Sequence, residues 1–217
     1  MNKIQVVNKT AAYAKKTLSG ESSGHDWWHV KRVWETSKRI GKKEKADMFV
    51  VELAALLHDI ADYKLNGGNE EIGPKTAAVW LKSLGVDRET IEHITRIIRD
   101  LSFKGAKVKT EMETIEGEVV QDADRLDALG AIGIARTFAY GGKMGREIYD
   151  PGTRAKLHKS FKEYKNSNGP TINHFYEKLL LLKARMNTKT AKKMAGERDK
   201  FMRDFLKRFY KEWEGRV

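Results

Sequence analysis

An all-α fold is expected, a helical bundle with additional C-terminal helices, and three observations carry that expectation. Apolar residues recur at helical spacing through most of the chain, and no run shows the alternation of a half-buried strand. Only Pro74, Pro151 and Pro170 interrupt the 217 residues, so few helices are forced to stop. A content of 40% hydrophobic and 33% charged residues suits long amphipathic helices with solvated outer faces.

The elements follow from local signals. A first helix is expected over residues 2–18, ending near Gly20, before a Gly- and Ser-rich loop at 19–24. Asp26 is a good N-cap for a helix from Trp27 to about Ile40, with Gly41 as its stop. Residues 48–59 are apolar almost all round and should be buried. Pro74 suits the first turn of a helix that closes at Gly85. Asp87 caps the next, whose Ile91, Ile94, Ile98 and Leu101 share one face. Residues 113–129 and 132–139 read as two further helices flanking Gly130, and the glycines of 128–133 mark tight packing. A polar stretch from Gly141 to Pro170 holds a short helix near 156–164, and helices at about 172–186 and 189–213 finish the chain. The length fits a single domain over 1–217, with a core at about 20–140 and a helical extension at about 170–215.

Composition removes several function classes. Without cysteine there is no disulfide, thiolate metal site or cysteine nucleophile. The N-terminal residues lack the continuous apolar stretch of a signal peptide. No apolar segment approaches the roughly 20 residues that span a bilayer. A cytoplasmic protein without a membrane partner is expected, as monomer or homodimer. The formal net charge of +12 attracts anions, whether nucleic acid or phosphorylated small molecules. Much of it lies in the last helix, at Lys189, Lys192, Lys193, Arg198, Lys200, Arg203, Lys207 and Arg208, a pattern that also describes a solvated face.

Chemistry concentrates at Leu56-Leu57-His58-Asp59-Ile60-Ala61-Asp62, where a buried apolar helix arrives at polar groups. Burying these without partners costs several kcal/mol, and a divalent cation would compensate. Upstream, Gly24-His25-Asp26-Trp27-Trp28-His29 puts His29 in the first turn of its helix. Downstream, Gln121-Asp122-Ala123-Asp124-Arg125-Leu126-Asp127 sets acids among apolar neighbours, with Asp124 and Asp127 on one face. Three helices thus each deliver metal-capable side chains. Two glycine-rich stretches, 68–76 and 128–133, fail the spacing of phosphate-binding loops.

The order His29, His58-Asp59, Asp124 resembles the H…HD…D pattern of the HD-domain superfamily of metal-dependent phosphohydrolases. The stretches GHDWWHV, ELAALLHDIADYK, SFKG and VQDADRLDALGAIGIARTFAYGG are similar to the generic bacterial group of that superfamily, as is the closing MNT…FL…F..EW segment. The resemblance implies an HD-domain helical bundle and one divalent metal ion (Mn, Mg, Fe, Co, Ni or Zn) on His29, His58, Asp59 and Asp124. Asp127 then becomes a supporting acid, or the ligand in place of Asp124. Asp62 is implied as proton-transfer partner of the attacking water, or else as a helix cap or salt-bridge partner.

The metal would lower the pKa of a water and polarise a phosphoryl oxygen. Positive groups would then surround the phosphoryl oxygens. Lys104, Arg125, Arg136, Lys143, Arg146 and His25 are the candidates for contacting substrate. Trp27 and Trp28 would either stack a base or pack. The expected function is cleavage of a phosphate ester or anhydride of a small molecule, a nucleotide for preference. The alternative is a nucleic-acid-binding or nucleotide-sensing protein that uses its basic surface without turnover.

Overall fold

The computed structural model describes residues 1–20, 26–61 and 71–217. Among these residues it is helical and contains no strand, in agreement with the all-α expectation. The chain divides into two compact units, residues 1–103 with 109–124, and residues 104–108 with 125–217. The division falls inside a helix, between Asp124 and Arg125.

The first unit is built from α1 (Lys3–Leu18), α2 (Trp27–Glu44), α3 (Met48–Leu57), α4 (Ile72–Ser83), α5 (Arg88–Asp100) and most of α6 (Ile115–Asp127). Its centre is α3, which packs against α1, α2 and α5. Val51, Leu53, Ala54, Ala55, Leu56 and Leu57 are wholly buried, so the all-round apolar character of this helix has the expected cause. α4 packs on α5. Asp87 accepts the Thr90 N–H at 2.9 Å and opens α5, whose Ile94, Ile97 and Ile98 are buried.

The second unit contains α7 (Gly130–Lys143), α8 (Phe161–Lys165), α9 (Leu180–Leu182) and α10 (Lys189–Trp213). A π-turn, Phe175–Leu179, precedes α9, and a 3₁₀ turn, Lys183–Arg185, follows it. α10 packs on α7 and α9. Ile172, Phe175, Leu179, Leu182, Ala195, Met202 and Leu206 form the core, and Phe138, Phe175 and Phe205 meet with ring centroids 5.9–6.1 Å apart. Arg185 clamps the short segment 104–108, its guanidinium donating to the carbonyls of Gly105, Ala106 and Val108.

The short helix expected near 156–164 begins only at Phe161, and α7 extends beyond the expected 132–139 at both ends. Two further departures have physical reasons. α2 runs through Gly41 to Glu44 and ends at Lys45, whose φ of 59° is left-handed. Gly41 serves close packing instead: a Cβ there would lie 3.0 Å from Met48 Sδ and 3.6 Å from Val119 Cγ1. The helix expected over 172–186 is interrupted by the π-turn. That turn carries buried Glu177, whose carboxylate accepts the Lys156 N–H at 3.0 Å and lies 3.6 Å from His158 Nε2. Such a turn typically accommodates one extra residue within a helix.

Candidate metal centre

His29 is placed by the start of α2. Asp26 sits in extended backbone and accepts the His29 N–H at 2.9 Å, which begins the helix and fixes the first turn on which the imidazole stands. His58 is placed by the end of α3. Its Nδ1 lies 2.8 Å from the Ala55 carbonyl, which can only accept, so Nδ1 donates there and in the neutral ring Nε2 presents the lone pair. Asp59 follows directly, and Asp124 stands one turn before the end of α6.

Four side chains converge. His29 Nε2 lies 3.2 Å from His58 Nε2, 3.3 Å from Asp59 Oδ2 and 3.4 Å from Asp124 Oδ1. His58 Nε2 lies 3.5 Å from Asp59 Oδ2 and 3.9 Å from Asp124 Oδ1. Donor atoms held roughly 2.0–2.2 Å from one cation are about 3.0–3.5 Å apart, so most of these separations suit a shared ion. His29, His58 and Asp59 alone form a cluster that can hold a metal. Two neutral imidazoles and two carboxylates are a good donor set for a divalent first-row ion. The residues therefore fit the group.

The surroundings are asymmetric. The imidazoles are 0% and 1% exposed, the carboxylates of Asp59 and Asp124 15% and 30%. The site is closed on the histidine side and reaches solvent on the acid side. Burial acts to raise the Asp124 pKa, but hydrogen bonding to His29 and, with the imidazoles protonated, the charges of His58 and His29 outweigh it and hold the carboxyl well below the usual range.

The remaining expected site residues have other settings. His25 and Asp62 lie outside the described residues. Lys104, Arg125, Arg136, Lys143 and Arg146 belong to the second unit. Arg125 is buried and donates to the Arg185 carbonyl. Arg136 is 3.1 Å from Asp127, which is 5% exposed, so Asp127 faces an arginine. Arg146 donates to the Ser167 carbonyl at 2.7 Å and lies over Tyr140. Lys104 is half-buried, and Lys143 is exposed at the end of α7. Trp27 is buried, whereas Trp28 is exposed with Lys31 over its ring. His93 stands apart from the cluster, 2.9 Å from Thr114 Oγ1. Sequence reasoning missed Arg185 and the buried His158–Glu177 pair. Neither sits in a motif, and only the folded backbone reveals what they touch.

Comparison with known proteins follows the same residues. The HD domain family model matches residues 27–129, the span from His29 to Asp124 and beyond. The chain is 39% identical to YpgQ of Bacillus subtilis over 99% of its own length and 97% of that protein's. The crystal structure of YpgQ in complex with ADP superposes with a TM-score of 0.75 and 36% identity, covering 97% of this chain and 100% of that one. The crystal structure of a Lactobacillus plantarum protein has a TM-score of 0.89 at 38% identity, covering 99% and 100%. An HD-superfamily hydrolase from Bacillus thuringiensis has a TM-score of 0.75 at 44% identity, covering 98% and 99%.

Proposed function

The chain belongs to the HD-domain family, and from that premise we propose that it is a metal-dependent phosphohydrolase cleaving a phosphate ester or anhydride of a nucleotide. The observation that carries this reading is the approach of His29 and His58 Nε2 to 3.2 Å, with Asp59 and Asp124 oxygens within 3.9 Å of them. His29, His58, Asp59 and Asp124 would hold one divalent ion. When bound, such an ion supplies Lewis acidity, acidifying water and polarising a phosphoryl oxygen.

The protein's own groups do the rest. The Ala55 carbonyl holds the His58 ring in one tautomer and orientation. The two carboxylates balance a dication and leave the solvent-facing side of the cluster for an incoming phosphate. Asp62 is assigned the acceptance of a proton from the attacking water, being four residues beyond His58 in sequence. Lys104, Lys143 and His25 are assigned contacts to substrate, so the loss of each raises KM. Arg125 and Arg146 are assigned the same role, but their hydrogen bonds to the Arg185 and Ser167 carbonyls give their loss a stability cost as well. Arg136 is assigned the same role, but its ion pair with Asp127 gives its loss a stability cost as well. The nucleotide preference is supported by the ADP complex of YpgQ.

The test is metal analysis of the purified protein beside hydrolysis of a nucleotide panel with added Mn²⁺, comparing wild type with His58→Ala and Asp59→Ala. One metal per chain and turnover lost in both variants is the expected result, and the product names the bond cut. Metal retained in both variants would overturn the ligand assignment. Metal bound by wild type without turnover of any nucleotide would replace the enzyme reading with a nucleotide sensor.

A further inference from the structure

Charge is divided very unequally between the two units. The first holds 18 Lys and Arg against 20 Asp and Glu, a net charge of −2. The second holds 24 against 10, a net charge of +14. The whole excess of the protein therefore resides in the unit that lacks His29, His58, Asp59 and Asp124. A substrate of one or two phosphates needs only a few cations, and they need not extend along a whole helix.

α10 shows how part of this charge is arranged. Lys189, Lys193, Lys200, Lys207 and Lys211 follow one another at intervals of four, seven, seven and four residues. Those intervals put all five on one side of the helix, and all five are exposed. The row runs for about 33 Å at 1.5 Å per residue. Ala191, Ala195, Met202 and Leu206 are buried on the opposite side. Asp204 lies within the row, 2.6 Å from Lys200 and 3.8 Å from Lys207, so it partly compensates two of the five lysines.

We propose that this lysine row of α10 is a binding surface for the phosphodiester backbone of a nucleic acid, read without sequence preference. A regular line of point charges matches a regularly charged polymer, and Lys suits phosphate as a point charge. An anionic membrane is the less suitable partner. A helix that lies in a bilayer interface needs a free apolar face, whereas Ala191, Ala195, Met202 and Leu206 of α10 are buried in the unit's own core and only Phe201 and Trp213 are exposed among its large apolar residues. The proposal is independent of the hydrolytic reading, because no residue of the row belongs to the metal cluster.

Fluorescence anisotropy with a labelled 20-nucleotide RNA and a 20-base-pair DNA duplex, in EDTA to prevent turnover, tests the proposal. Five single-strand phosphate contacts give about a 100-fold loss of RNA affinity between roughly 50 and 200 mM salt. Lys193→Ala, Lys200→Ala and Lys207→Ala together should reduce that loss to about 7-fold and weaken binding at low salt. The same number of substitutions in the first unit, Lys9→Ala, Lys16→Ala and Lys42→Ala, should leave both quantities unchanged. Circular dichroism checks that the fold survives. Absence of binding to either nucleic acid at low salt overturns the proposal, as does equal weakening by the two triple variants. Binding to phosphatidylserine vesicles but to neither nucleic acid overturns it in favour of a lipid surface.

Discussion

His58 and His29 face each other through Nε2 atoms 3.2 Å apart, and the proton of His58 is committed elsewhere, to the Ala55 carbonyl. A lone pair is thus aimed at a point that Asp59 and Asp124 also approach. The cluster gathers four potential ligands for a cation at short range. Because the site forms only in the folded chain, binding energy appears as folding stability. At a free Mn²⁺ concentration of 100 times its Kd, the gain is about 2.7 kcal/mol, or roughly 5–10 °C in Tm for a chain of this size. Differential scanning calorimetry with Mn²⁺ and with EDTA should show that shift in the wild type and none in His58→Ala. A shift of equal size in the variant would remove His58 from the ligand set.

Two adjacent glycines of α7 should respond oppositely to alanine. A Cβ at Gly141 would run into Thr171 Oγ1, and one at Gly142 would meet nothing within 4 Å. Gly141→Ala is expected to destabilise by about 1–3 kcal/mol through overpacking. Gly142→Ala should stabilise by about 0.5–1 kcal/mol, since Ala gives up less backbone entropy in a helix. Urea denaturation midpoints compare them directly, and the same sign for both variants would contradict the packing described.

What the sequence made legible was set by periodicity and by proximity along the chain. α3 and α10 were readable because an all-round apolar run and a long amphipathic pattern each specify one outcome. Asp26, Asp87 and the HD pair were readable because caps and motifs are local. Gly41 misled because a glycine that ends a helix and one that admits Met48 look alike in one dimension. The partners of the expected phosphate-binding cations were not legible. Arg125 meets Arg185, sixty residues away, and Arg136 meets Asp127 at 3.1 Å. Pairings across such spans follow from how helices pack, on which charge patterning is silent.

Acid should act on the cap of α5 in a predictable direction. Asp87 accepts the Thr90 N–H at 2.9 Å, and that bond, helped by the Thr90 hydroxyl, lowers its pKa below the ordinary carboxylate value. A carboxyl depressed on folding contributes stability that is fully present above its unfolded pKa and is lost as pH falls through the folded one. Asp87→Asn keeps a good cap that cannot titrate. The stability difference between wild type and this variant, measured in EDTA, should therefore be constant above about pH 5 and shift against the wild type below about pH 4. A difference that stays flat down to pH 2 would mean that the ionised cap contributes nothing.

Asp124 and Asp127 stand three residues apart on α6, and their variants should fail in different assays. Asp124 lies 3.4 Å from His29 Nε2, so Asp124→Ala should lower bound metal well below one per chain. Asp127 is 5% exposed and holds Arg136 at 3.1 Å. Asp127→Ala removes the carboxylate 3.1 Å from a largely buried guanidinium, at an expected cost of about 2–4 kcal/mol in unfolding free energy. It should nevertheless keep its metal when assayed below its melting temperature. Metal analysis and urea denaturation on the two variants, side by side, separate ligand from structural acid. If Asp127→Ala loses metal while Asp124→Ala retains it, the two roles are exchanged, and Asp127 is the fourth ligand in place of Asp124.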